Sequence, residues 1–274
     1  MKSIAIKAYA KINLSLAVNG KDEESGYHNI DTVMQTIDLH DTVIITARED
    51  SECSSEIIGA KVEDDNALKA AKLFSAVFET NGADIRIVKR IPVMSGLGGS
   101  STNAAAVLKG MAILYNISTS ELLPLAKSLG SDTAFFLKEG LARCTGRGDI
   151  IERLPPLPAM FALIILDTSG VSTAEAYAVY DTLKSTSIKS DLIMKNLREG
   201  KDTKIIPANA LLSASQSLNS MIAEQLRVLN DRNAIMVSMS GSGSAVFALY
   251  TDLEAALAKQ RSLLFDSEVY GFVY

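Results

Sequence analysis

The chain has 274 residues, enough for one large or two smaller domains with buried cores. Apolar residues make up 47% and charged residues 22%, a balance that excludes disorder. A net charge of −5 argues against a protein that coats nucleic acid or an anionic membrane, so any phosphate must be met by a local site.

The N-terminal "IAIKAYAKINLSLAV" alternates like a strand. Lys7 and Lys11 interrupt its apolar character, so it reads as mature structure and not as a signal peptide. "DTVMQTIDL" and "DTVIITA" add two antiparallel strands before residue 50. "DNALKAAKLFSAVFETNG" has helical spacing, with Asn81-Gly82 as a stop. "ADIRIVKRIPV" is a strand, and it leads directly into "GLGGSSTNAAAVL", residues 96–108. That stretch opens the helix "TNAAAVLKGMAILYN". "STSELLPLAKSLG" begins with a capping box, Ser118 to Glu121, and closes on Gly130.

After "ERLPPLP" the pattern restarts, and the Pro-rich 155–158 stretch divides the chain into expected domains 1–155 and 156–274. The second half carries the strand "FALIILDT", a helix in "STAEAYAVYDTL" and the segment "SLNSMIAEQLRVLN". A hairpin in "AIMVSMSGSGSAVFALY", the helix "DLEAALAKQRSLLF" and a last strand, "VYGFVY", complete it. Strands and helices mix without a βαβ rhythm, which predicts an α+β fold. Cys53 and Cys144 are too few for a disulfide framework, and no Cys/His cluster suggests a metal. No apolar run reaches the length of a membrane span, so a cytoplasmic location is expected. Nothing in the pattern specifies an oligomeric state.

The cluster at 96–102 places three glycines, two serines and a threonine at a helix start. Unpaired N–H groups and the positive end of the helix dipole suit phosphate there. Ser100, Ser101 and Thr102 offer hydroxyl donors, or oxygens for Mg²⁺. No Gly-Lys-Ser/Thr closes the loop, which excludes a Walker A motif. Ser101 at the third glycine position argues against a dinucleotide fingerprint. A flexible loop is the plain alternative. "SGSGSAVF", 240–247, is a second Gly/Ser turn, which alone reads as a hairpin connection.

With both turns placed, the chain resembles the GHMP kinases. Pro92 with Gly96, Leu97, Gly98, Gly99, Ser100 and Ser101 resembles their second motif, and Gly241, Ser242, Gly243 and Ser244 their third. "AYAKINLSL", "GYHNIDTVMQTIDLHD", "DNALKAA", "GSDTAFFL" and "GRGD" are similar to the family that phosphorylates a cytidine diphosphate-linked methylerythritol. The resemblance implies a ribosomal S5-like N-terminal domain, a C-terminal α+β domain, and ATP with Mg²⁺. It implies an N-terminal domain that binds ATP through Pro92 and residues 96–102, with Asn66 near adenine. An N-cap role for Asn66 is equally open. It assigns catalysis to Lys11 and Asp132. Asn13, Tyr27, His28, Thr173, Tyr177, Gly241, Ser242 and Gly243 fall on the substrate side. His40 reads as structural, and Ser172 to Glu175 reads equally as a capping box. Departures from the family pattern stand at Ser25, Thr133 and Ala134, none of them a reacting group. Alternatives are a GHMP kinase for another small alcohol or an isoprenoid phosphate, and a non-catalytic nucleotide- or RNA-contacting protein on the same fold.

Overall fold

The computed structural model describes residues 2–23, 26–61, 65–166, 169–183 and 186–274, so Ser25 lies outside the described residues. It opens on two long strands, β1 (Ser3–Lys21) and β2 (His28–Ala47). The two strands expected between 31 and 47 are therefore one. The polar pair His40-Asp41 imitates a turn in the sequence, but Asp41 is fully buried with its carboxylate bonded inside the unit.

Next come β3 (Ser54–Ile58), α1 (Asn66–Phe78), β4 (Ala83–Val88) and α2 (Gly99–Tyr115). A 3₁₀ turn (Thr119–Glu121) introduces α3 (Leu122–Leu129), α4 (Ser131–Phe135), β5 (Leu141–Gly146) and β6 (Ile150–Arg153). Then follow β7 (Phe161–Ile165), α5 (Thr173–Tyr180), α6 (Ser190–Arg198), α7 (Leu212–Leu218) and α8 (Met221–Leu229). The chain ends with β8 (Met236–Met239), β9 (Val246–Tyr250), α9 (Leu253–Arg261) and β10 (Ser267–Gly271). The α+β expectation holds. Residues 212–229 form two helices with a break at Asn219, whose side-chain oxygen accepts from the N–H of Met221. The sequence reading named no helix over 190–198.

The residues group into two compact units. One comprises Met1–Ala10, Leu39–Val93 and Gly98–Glu139; the other comprises Lys11–Asp38, Met94–Leu97 and Gly140–Tyr274. This grouping differs from a division at residue 155, because β1 and β2 each contribute one end to each unit.

In the first unit β4 lies between a parallel β3 and the antiparallel Thr42–Ala47 end of β2. Helix α1 starts at Asp65, whose carboxylate accepts from the N–H groups of Ala67 and Leu68. It stops at Glu79 in the left-handed region, φ 51°. Fully buried Phe74 anchors α1, with the Phe78 ring 4.7 Å away and Tyr115 of α2 at 6.4 Å. Gly82 was expected as a helix stop; its actual constraint is close approach. A Cβ there would lie 1.7 Å from the Glu52 carbonyl oxygen. Its N–H donates to Asp50, and its own carbonyl accepts from Arg48 N–H and the Tyr115 hydroxyl.

The second unit holds Ile30–Gln35 of β2 antiparallel to β5, with β6 beyond it. A separate antiparallel sheet runs in the order β10-β7-β9-β8. Its core gathers Leu16, Leu163, Tyr180, Leu211, Ile222 and Val246. Among the described residues no helix is long and apolar enough to cross a membrane.

Gly82→Ala drives a side-chain carbon into backbone that has no rotamer to yield. The expected loss of stability is about 3 kcal/mol, at the upper end for overpacking, measured by urea denaturation.

Candidate active site

The segment 94–97 is held by all four of its carbonyls, two of them bonded by Lys11. Met94 accepts from Val171 N–H, Ser95 from Ala245 N–H and Leu97 from Lys11 N–H. Gly96 accepts from Lys11 Nζ at 2.8 Å and from Ser240 Oγ at 2.9 Å. The carbonyl edge of the segment is thus turned into the protein.

Lys11 is only 3% exposed, and its ammonium also donates to Asn13 Oδ1 at 2.5 Å. Asn13 in turn donates from Nδ2 to Thr32 Oγ1, and its backbone N–H reaches Ser240 Oγ. Burying an ammonium is costly without partners, so this network fixes both the charge and its direction. The third-motif turn packs against the same point. Gly241 (φ 57°) has the Gly96 Cα 3.2 Å and Lys11 Nζ 3.4 Å from where a Cβ would stand. Asn209 Nδ2 bonds the carbonyls of Met239 and Gly241, and Ser215 bonds that of Ser242. Gly243 adopts φ 84°, a region that favours glycine.

The glycines of the second motif prove to serve different ends. A Cβ on Gly96 (φ 76°) would fall 2.0 Å from the Ser240 carbonyl oxygen. One on Gly99 would press the Lys89 ammonium and Ile91 at 3.0 and 3.1 Å. Those two glycines permit close protein packing. Gly98 is the N-cap of α2 at φ 78°, and no side chain caps that helix. Its opening turn offers backbone N–H groups together with a half-buried Ser101, an exposed Ser100 and a buried Thr102. Pro92 lies upstream in the same connection. Asn66 is not the cap of α1, a role that Asp65 fills; its Nδ2 donates to Ser100 Oγ at 2.9 Å.

A second cluster forms around the start of β2. The His28 ring stacks on Tyr177, centroids 4.7 Å apart and planes within 22°. Its Nε2 lies 2.6 Å from Asp181 Oδ1, and Lys21 pairs with Asp181 Oδ2 at 3.1 Å. A carboxylate only accepts, so Nε2 carries the proton in that bond. Thr173 and Tyr177 are one turn apart on α5, and Thr173 Oγ1 meets Ser242 Oγ at 2.9 Å. Ser172 caps α5 through Glu175 N–H, as the sequence suggested. Tyr27 is 56% exposed, with the Arg147 guanidinium 3.7 Å from its ring centre. His40 packs edge-on to Tyr9 at 5.4 Å.

Asp132 sits half-buried in the first turn of α4, in the first unit. The following Thr133 is fully buried, with no partner for its hydroxyl, and Ala134 is buried beside it. Among the described residues no three His, Cys, Asp or Glu side chains gather as a metal-ligand group. Sequence reasoning missed Ser240, Thr32, Asn209 and Asp181. Only Ser240 carried a signal, as the first serine of the glycine turn.

Residues 65–140 match the family model described as GHMP kinases N terminal domain, and 193–265 match GHMP kinases C terminal. The chain is 36% identical to the 4-diphosphocytidyl-2-C-methyl-D-erythritol kinase of Alkaliphilus metalliredigens (strain QYMF), covering 96% of this chain and 93% of that one. It is 35% identical to the enzyme of that name from Clostridium beijerinckii, covering 90% and 91%. A solved 4-(cytidine 5'-diphospho)-2C-methyl-D-erythritol kinase superposes with a TM-score of 0.84 at 27% identity, over 99% and 100% of the two chains. A homoserine kinase from Cytophaga hutchinsonii shares the fold, with a TM-score of 0.70 at 19% identity over 100% and 95%.

The hydrogen bond from His28, and after it that from Lys21, holds the Asp181 carboxyl below the ordinary carboxylate range. A depressed carboxylate contributes stability above its unfolded pKa and loses it as pH falls through the folded value. NMR titration is expected to give Asp181 a midpoint below that of a free aspartate. In His28→Ala that midpoint should move up towards the ordinary value.

Proposed function

The chain belongs to the GHMP kinase family, in its 4-diphosphocytidyl-2-C-methyl-D-erythritol kinase branch, and we propose on that basis that it transfers the γ-phosphoryl group of ATP to the 2-hydroxyl of 4-diphosphocytidyl-2-C-methyl-D-erythritol. The products are the 2-phosphate and ADP, within the non-mevalonate route to isoprenoids, and the absence of a membrane-spanning helix among the described residues accords with work in the cytoplasm. The observation that carries the reading is the buried Lys11 ammonium, held by Asn13 and Gly96 where the two glycine turns pack. Phosphoryl transfer asks for positioning and charge stabilisation more than for covalent chemistry. A rigid cationic centre supplies both.

The uncapped start of α2 receives the ATP phosphates on its N–H groups, and Asn66 reaches the nucleotide beside Ser100. Asp132 accepts the proton of the substrate hydroxyl. That oxygen attacks the γ-phosphorus, the bond to the β-phosphate oxygen breaks, and ADP leaves. Lys11 offsets negative charge as it develops. Mg²⁺ binds through one or two protein oxygens with phosphates and water, so a site without a carboxylate cluster still fits it. The hydroxyls of Ser100 and Ser101 and the Asp132 carboxylate are the groups that would hold it, and it would neutralise phosphate charge.

The cytidine end is assigned to Tyr27, His28, Thr173 and Tyr177. The ring edge of His28 that faces away from Asp181 carries Nδ1, a polar atom able to meet the edge of cytosine. Tyr27 offers an exposed ring for stacking.

An ADP-release assay with ATP and the cytidylyl substrate, mevalonate, homoserine or isopentenyl phosphate tests the reading. Turnover is expected with the cytidylyl substrate, and turnover with only another alcohol overturns the substrate assignment. In the active protein, Asp132→Asn should lower kcat by about 10²–10⁴-fold with substrate binding kept. Lys11→Met should also lower kcat, and the double variant should lose far less than the product of the two. Near-normal kcat in Asp132→Asn removes it from the role of base.

A further inference from the structure

Val33, Arg143 and Glu152 form a row across three strands of the second unit. Arg143 on β5 stands opposite Val33 of β2 on one side and Glu152 of β6 on the other. Between this row and α6 is a cavity of about 410 Å³, whose apolar lining is Val33, Leu154 and Met194. Close packing leaves few voids larger than a water molecule, and small-molecule sites occupy about 300–1,000 Å³. Side chains alternate along a strand, so Asp31 and Val33 leave β2 on one face and Thr32 on the other. Thr32 Oγ1 accepts from Asn13 Nδ2 at 2.7 Å and donates to the Ser15 carbonyl at 2.6 Å, within the Lys11 network. The cavity therefore lies on the far side of the strand from that network.

The charges around it are unevenly matched. On the sheet side Arg143 is neutralised. Its Nε and Nη2 bond the two oxygens of Asp31 at 2.8 and 2.5 Å, and its Nη1 bonds Asp191 at 3.1 Å. Glu152 has the same guanidinium as its counter-charge, and Glu199 pairs with Lys201. On the helix side the cations are not matched in this way. Arg198 gives its two terminal nitrogens to the carbonyls of Pro156 and Pro155, at 3.2 and 3.0 Å, and carbonyls neutralise no charge. Lys195, one turn earlier, is exposed and makes no hydrogen bond or ion pair with the described residues. Its charge reaches Glu199 only through space. Two cationic heads on one helix, beside an apolar floor, complement an anion that carries a short apolar body.

We propose that the cavity between α6 and the β2, β5 and β6 face binds a small amphipathic anion, a phosphate ester of a short alkyl chain. The phosphate meets Lys195 and Arg198, and the chain lies on Val33, Leu154 and Met194. An ammonium beside a guanidinium favours a dianionic phosphate over a single carboxylate. The site is additional to the kinase reading and does not depend on it.

The test is an NMR titration of the full chain with isotope-labelled methionine methyls, the Met194 signal being assigned through Met194→Leu. Pentyl phosphate, inorganic phosphate, pentanol and hexanoate are added in separate experiments. A saturable shift of the Met194 methyl is expected with pentyl phosphate, about tenfold tighter than with any of the other three. Lys195→Glu should weaken that binding about tenfold, and Lys195→Arg should keep it. Lys195 is exposed, so both variants should melt at the Tm of the unaltered protein. The shift is also expected to persist in excess ADP, which separates this cavity from the nucleotide-receiving start of α2. No saturable shift at Met194, equal affinity for inorganic phosphate or pentanol, or unchanged binding in Lys195→Glu each overturns the proposal. Equal affinity for hexanoate overturns the phosphate assignment, and a shift that ADP abolishes places the ligand at α2 and overturns the site.

Discussion

The contact between Gly96 and the Ser240 carbonyl leaves no room for a side-chain carbon, and the site is arranged around it. Because position 96 can come that close, Ser240 Oγ and Lys11 Nζ both reach the Gly96 carbonyl. Because both reach it, the lysine charge has one address instead of many. An ammonium on a four-carbon stem is ordinarily a mobile charge. Here Asn13, Thr32 and Ser240 convert it into a fixed one.

The same economy explains why one short motif contains glycines of different kinds. Gly96 permits a turn to pack on a turn, Gly98 sets a left-handed helix start, and Gly99 permits Lys89 to lie against α2. The first and third are packing constraints and the second is a backbone constraint. A residue type common to all three positions hides those distinctions in the sequence.

Much of the architecture could be read from the residues alone. Alternation predicted β1, the Gly/Ser turn predicted a hairpin that contains β9, and the Ser172 cap placed the start of α5 correctly. The misreadings have physical causes. Asp65 and Asn66 are both good caps, and the choice left open in the sequence is settled by the N–H groups of Ala67 and Leu68, which bond to Asp65. His40-Asp41 reads as a turn because a sequence does not show that a carboxylate will be buried against Lys89. Of the candidate site, the glycine turns, Lys11 and His28 were visible. Asp181 was not, since it meets His28 across 153 residues and belongs to no motif.

The carbonyl row of 94–97 has one more consequence, which concerns motion. Backbone amides of Lys11, Val171 and Ala245 come from distant parts of the sequence, yet all are protected by that one acceptor segment. Their opening is then a single cooperative event and not three local ones. Residues that no strand or helix joins would share one opening free energy in hydrogen exchange.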